Sequence, residues 1–297
     1  MEYDGKGECI VVELKVVKRE GEETTDLHEK DGVVWVSYRV PDRLPWLINA
    51  FSTRLGGVSE GIYEQMNLAH TVGDDPERVL ENHRIIGSAI GVDTEDMVLA
   101  FQTHTVNVME VGDRHRGMGV VRERDYRDVD GIMTNVPGVC LLTSYADCVP
   151  LYFVDPKNRA IALSHSGWRG TAGNICRNTV EKMHKLYGTE PADIIACIGP
   201  SIEAKCYEIG EDVAEEFRKA YPEEALEAIL LPEEGRADKY LLDLTQANFE
   251  NMVGSGILPE NISRPDLCTA CNALWLHSHR ASKGKRGGMC AFLSIRE

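Results

Sequence analysis

Two strand-like runs, GVCLLTSYADCVPLYFVD (138–155) and RAIALSHS (159–166), are separated by only Pro-Lys-Asn. So short a connection joins antiparallel strands, because a parallel pair needs a crossover of a dozen or more residues. A third β run, MVLAFQTHTVNVMEV (97–111), precedes them. The helices predicted below stand apart from this cluster and do not alternate with single strands. That order argues for an α+β chain and against a repeating βαβ Rossmann arrangement.

Elsewhere, Val11–Val17 and Val33–Val40 alternate and predict a hairpin around the acidic loop REGEETTDLHEKDG (19–32). Residues 47–76, dense in Gly, Asn and Asp, read as a short strand and a long loop. Asp75, Pro76 and Gly91 bracket a first helix with a cap, a first-turn proline and a C-terminal stop. A second helix is expected from near Thr171 to Gly188, with Ile175, Val180, Met183 and Leu186 on one face. A third should span Glu211–Tyr221, its acids forming a solvated face. Asp243 should cap a fourth, ending near Val253. DIIACIGP and the late MCAFLSIRE read as strands. No repeat or long linker divides the 297 residues, so a single domain over 1–297 is expected, with 1–45 as a more variable N-terminal β-hairpin extension.

The net charge of −16 argues against nucleic acid or an anionic membrane surface as partner. No apolar run approaches the ~20 residues of a membrane span, and the N-terminal segment lacks the pattern of a signal peptide. Nine cysteines, an odd number and several inside apolar runs, point to packed thiols in a reducing cytoplasm.

Three short motifs fall at ends of predicted strands: QTH (102–104), ADC (146–148) and HSGWRG (165–170). Each is compatible with plain packing when taken alone. Together, His104, Cys148 and His165 could form a zinc site with an open fourth position. Arg54, Arg169 and Arg280 are the candidates for holding an anion, and the backbone N–H groups of GTAGN (170–174) are an alternative. Trp168 is either core or a stacking surface for a base, and Asp147 either orients a metal-bound histidine or caps the following turn. Cys268 and Cys271 form a lone C-x-x-C that reads as structural, since Cys197, Cys206 and Cys290 lack the spacing of a second pair. His277 and His279 are expected on one face of a strand, where they either flank the site or are structural.

The motifs FSTRLGGVS, GDDPERVLENH, FQTHTVNV, DVDGIMTNVPGVCLLTSYADCVPLYFVDP, SHSGWRGTAGNI, IGPSIEAKCYEIG, LDLTQANF and CTAC occur in an order that resembles one family. It is the polyphenol oxidase or laccase-domain family of zinc-dependent purine nucleoside phosphorylases, and the resemblance runs from about Leu47 to Phe292. It implies a layered α/β/β/α sandwich, with two largely antiparallel sheets inside and helices outside. It implies zinc held by His104, Cys148 and His165, with copper as the less favoured metal; because the three ligand motifs converge only once and the other thiols lack metal spacing, one zinc per chain is expected. It implies phosphorolysis of adenosine and inosine, with S-methyl-5′-thioadenosine as a further candidate, and adenosine deamination at the same site. Thr105, Ser166, the position of His70 and the run Ser278-His279-Arg280-Ala281 depart from the commonest family pattern.

Three competing functions remain in view. A multicopper oxidase would need many H-x-H pairs, whereas this chain has nine histidines and one such pair. A cysteine hydrolase would use Cys148 as nucleophile and His165 as base, leaving His104 without a role. A zinc-stabilised binding protein would need a fourth ligand at the triad.

Overall fold

The computed structural model describes residues 2–3, 9–10 and 14–296 apart from 22, 234 and 237. A two-residue ladder pairs β1 (Glu2–Tyr3) with β2 (Cys9–Ile10). Then come β3 (Thr25–Lys30), β4 (Val33–Tyr38), β5 (Leu47–Ser52), α1 (Pro76–Ile90), β6 (Met97–Leu99), β7 (Val108–Glu110) and β8 (Gly131–Thr134). The central segment holds β9 (Cys140–Tyr145), β10 (Val149–Asp155), β11 (Ala160–Ser166), α2 (Trp168–Ala172), α3 (Ile175–Tyr187) and β12 (Ile195–Ile198). The remainder comprises β13 (Glu208–Gly210), α4 (Glu211–Ala220), α5 (Glu223–Ile229), β14 (Leu230–Pro232), β15 (Lys239–Leu242), α6 (Leu244–Gly254), β16 (Ile262–Ser263) and β17 (Met289–Ile295).

Two six-stranded sheets form the body, one in the order β3-β4-β5-β17-β9-β6 and the other β16-β12-β10-β11-β8-β7. Pairing is antiparallel except for β6 with β9, β7 with β8 and β12 with β16. Strand alternation sorts side chains into three apolar layers. On β9, Leu141 and Tyr145 enter the layer between the sheets, while Cys140 and Leu142 face Ile86 and Ile90 of α1. On β10, Tyr152 and Val154 join the layer between the sheets, while Leu151 and Phe153 meet Ile175, Val180 and Met183 of α3. The result is the expected α/β/β/α sandwich. A smaller sheet, β13-β15-β14, sits beside α4 and α5.

Several local expectations change. Residues 11–13 of the predicted first strand lie outside the described residues, and 14–17 form no strand. The hairpin partner of β4 is β3, inside the supposed acidic loop. Asp31 and Gly32 join them with φ of 53° and 80°, the two positive angles that a tight hairpin turn demands. The second helix is two, because Asn174 takes φ 57° and caps α3 by accepting from Arg177 N–H at 2.9 Å. Leu186 is exposed, not on the buried face. The caps Asp75 and Asp243 act as expected, accepting from Glu77 N–H and Gln246 N–H. His277 lies in an irregular segment and His279 in a turn, the first buried and the second exposed, not on one face of a strand.

Candidate metal centre

The β runs 97–111 and 138–155 are each broken by a change of sheet. β6 lies in one sheet and β7 in the other; β9 and β10 divide in the same way. His104 stands on the first crossing, Cys148 on the second, and His165 near the end of β11 beside them. Ligand-type atoms of the three lie within 4.8 Å of one another. Gln102 fastens the first crossing to β9: its amide donates to Ser144 carbonyl at 2.8 Å and accepts from Ser144 N–H at 2.7 Å. The backbone of His104 has φ 64° and that of Asp147 φ 90°, both in the left-handed region that non-glycine residues seldom enter.

Asp130 organises these turns. Its fully buried carboxylate accepts from the backbone N–H of Thr103, His104 and Thr105 at 3.1, 3.0 and 2.8 Å, and from the Thr105 hydroxyl at 2.9 Å. Three successive N–H groups converge on one carboxylate only if the chain curls, which accounts for the positive φ at His104. Asp130 Oδ1 also lies 2.8 Å from His165 Nδ1. That contact commits Nδ1–H and leaves Nε2 free to act as a ligand nitrogen. Burial pushes the Asp130 carboxyl up, but His165 and the N–H donors outweigh it and hold it below its ordinary value. Burial likewise raises the Cys148 thiol, yet the field of His165 and contact with His104 bring it down on balance. His165 is pushed down by burial and raised, on balance, by Cys148 and Asp130.

Two imidazoles and an acidified thiol suit zinc with one position open. Gly167 makes the approach feasible. A β-carbon there would sit 2.9 Å from His104 Cδ2 and 3.0 Å from Cys148 Sγ.

The triad lies in the wall of a cavity of about 230 Å³, lined also by His70, Phe101, Tyr145, Arg124 and Arg286. Arg124 lies over the Phe101 ring at 4.5 Å and donates to Ala100 carbonyl. Arg286 donates to Gly287 carbonyl. Neither has a carboxylate within 4.0 Å among the described residues. Burial lowers both guanidinium groups and the His70 imidazole.

The three arginines expected at the site stand elsewhere. Arg54 donates to the carbonyls of Glu64 and Ala273, outside the cavity lining. Arg280 donates to Glu208 carbonyl and lies over Tyr207, and Arg169 stacks on Trp168 in a separate groove. The GTAGN segment divides between α2 and the α3 cap, with Asn174's own side chain occupying Arg177 N–H. Trp168 packs on the layer under α3. Asp147 touches neither histidine: it accepts from the Thr269 hydroxyl at 2.6 Å and from Arg280 N–H at 2.7 Å. The orienting role passes to Asp130, whose signal was the DVDG stretch beginning at Asp128. Arg124 and Arg286 had no motif to mark them, since only the fold reveals which arginines reach the cavity without a carboxylate within 4.0 Å among the described residues.

A stacked double-sheet body with a His-Cys-His cluster at its sheet crossings defines a laccase-type domain. The chain belongs to the family described as multi-copper polyphenol oxidoreductase laccase, whose profile matches residues 48–296. It is 36% identical over 255 residues to purine nucleoside phosphorylase YlmD of Bacillus subtilis, covering 84% of this chain and 89% of that one. It is 35% identical over 226 residues to adenosine deaminase RL5 from an unknown prokaryotic organism, covering 75% and 85%. The crystal structure of YlmD from Geobacillus stearothermophilus superposes with a TM-score of 0.84 at 32% identity, over 93% of this chain and 100% of that one.

Proposed function

We propose that this chain is a zinc-dependent purine nucleoside phosphorylase that also deaminates adenosine. Its substrates would be adenosine, inosine and S-methyl-5′-thioadenosine, with inorganic phosphate as co-substrate. The observation that carries the reading is one cavity that combines the His104–Cys148–His165 cluster with two guanidinium groups that have no carboxylate within 4.0 Å among the described residues. The names of the relatives supply the reaction class. We read residues 1–297 as one catalytic unit. We place it in the cytoplasm, which the free thiols among the described residues support.

Zinc held by the triad supplies Lewis acidity toward a water or a substrate oxygen. Asp130 keeps Nδ1 of His165 protonated and its Nε2 available. Arg124 and Arg286 bind phosphate, and their forked N–H groups orient it. Phe101, fixed under Arg124, offers an apolar face to the purine. His70, held neutral at pH 7, can accept a proton at a ring nitrogen. A cysteine hydrolase built on Cys148 and His165 would leave the two arginines and His104 idle.

Product analysis tests this. Inosine should give free base and ribose 1-phosphate only when phosphate is present; equal base release without phosphate would make the protein a hydrolase. Arg286→Lys loses the fork and should raise the KM for phosphate about 30-fold, equivalent to ~2 kcal/mol, whereas Arg54→Lys should leave it unchanged. Chelating the metal should abolish phosphorolysis and deamination together.

A further inference from the structure

A second group of metal-ligating side chains lies outside this cavity. The turn at Ala204–Cys206 and the C-x-x-C at 268–271 are far apart in the chain. The fold brings ligand atoms of Glu203, Cys206, Cys268 and Cys271 within 4.8 Å of one another. The sequence expectation that Cys206 stands apart from the C-x-x-C is thereby corrected. We propose that these four residues form a structural zinc site, closed by three thiolates and one carboxylate.

The distances suit a tetrahedral ion. Zinc–sulfur bonds of ~2.3 Å place two tetrahedral sulfurs about 3.8 Å apart, and Cys206 Sγ lies 3.6 Å from Cys271 Sγ. Glu203 Oε1 lies 3.0 Å from Cys271 Sγ and 4.0 Å from Cys206 Sγ. Glu203 N–H donates to Cys268 Sγ at 3.4 Å, a contact that favours the thiolate. Sulfur-rich closed sets select zinc over magnesium or calcium. Charge also balances. Three thiolates, a carboxylate and a divalent ion leave a formal −2. Lys205 Nζ, 2.7 Å from Glu203 Oε1, and Arg19 Nε, 3.8 Å from Oε2, offset it. Arg19 Nη1 and Nη2 donate to the Thr245 hydroxyl and Ser201 carbonyl, while its buried Nε has no hydrogen-bond partner among the described residues and faces Glu203. Cys206 and Cys271 are half-buried, which gives an ion a way in.

The cluster is tied to the Cys148 crossing. Thr269, between the two cysteines of the C-x-x-C, donates its hydroxyl to Asp147 Oδ1. Ile202 N–H donates to Asp147 carbonyl at 3.0 Å. An ion here would clamp the loop that presents Cys148 without touching substrate.

The test counts metal by native mass spectrometry and elemental analysis on the full chain. Wild type should carry two zinc ions. Cys148→Ala, which disables the cavity triad, should keep one, and Cys148→Ala/Cys271→Ser should keep none. Cobalt substituted into Cys148→Ala should show sulfur-to-cobalt charge-transfer absorption, whose thiolates can come only from outside the cavity. His104→Ala, an exposed side chain, replaces Cys148→Ala if that variant fails to fold. Metal-free Cys148→Ala, or a Cys206–Cys271 disulfide in the freshly isolated protein, would overturn the proposal. One zinc in wild type, retained in Cys148→Ala, would support this site and count against the cavity one.

Discussion

A methyl group on Gly167 would lie against His104 and Cys148, with no penalty from the backbone, whose φ is −74°. His104 is exposed and can swing away. Gly167→Ala should therefore release most of the cavity metal and activity while Tm shifts by no more than a few degrees. Metal analysis beside a melting curve checks this, and full metal retention would mean that the cluster tolerates a wider approach. His83 makes a different residue-scale prediction. It is fully buried, stacks on His70 at 5.2 Å, places Nε2 3.2 Å from Leu68 carbonyl and leaves Nδ1 without a partner. Burial pushes its pKa down to about 3. The unfolded chain thus takes up the proton first, and stability is complete above pH ~6.5 and declines as pH falls toward 3. Between pH 7.5 and 5.5 this histidine accounts for about 1.4 kcal/mol of lost stability. Urea unfolding of His83→Gln should show a decline smaller by that amount, and equal declines would refute the assignment.

At the scale of elements, β17 is the strand on which the first sheet depends. It pairs with β5 on one side and β9 on the other, and all seven of its residues are buried. Phe292 fills the layer beneath α1. Phe292→Ala should cost about 3–5 kcal/mol, measurable by denaturant titration; a loss below 1 kcal/mol would show that the layer collapses around the gap. The elements also show what was legible in the sequence. Asp75 and Asp243 announced their helices because a cap is a local interaction between neighbours. The change of sheet inside MVLAFQTHTVNVMEV and inside GVCLLTSYADCVPLYFVD left no mark, because apolar alternation reports burial and not which sheet buries it. The hairpin was assigned to the wrong partner although its Asp-Gly turn was in plain view.

At the scale of the whole molecule, the three triad positions could be proposed because each sat in a compact motif. Asp130, Arg124 and Arg286 could not, since their roles depend on what other segments place beside them. A chain of net charge −16 repels phosphate at a distance. The anion would have to be captured by a short-range field inside the cavity, where burial weakens screening.

The placement of β17 also constrains how this protein is made. Its register pairs Ile295 with Leu47 and Ser294 with Cys140. On a ribosome, β5 and β9 emerge long before the strand that must lie between them. Until residue 295 clears the exit tunnel, both expose unpaired edges, and the first sheet stays split. The first sheet therefore closes only after β5, β9 and β17 have all emerged, and until then the facing edges of β5 and β9 are open to non-native pairing.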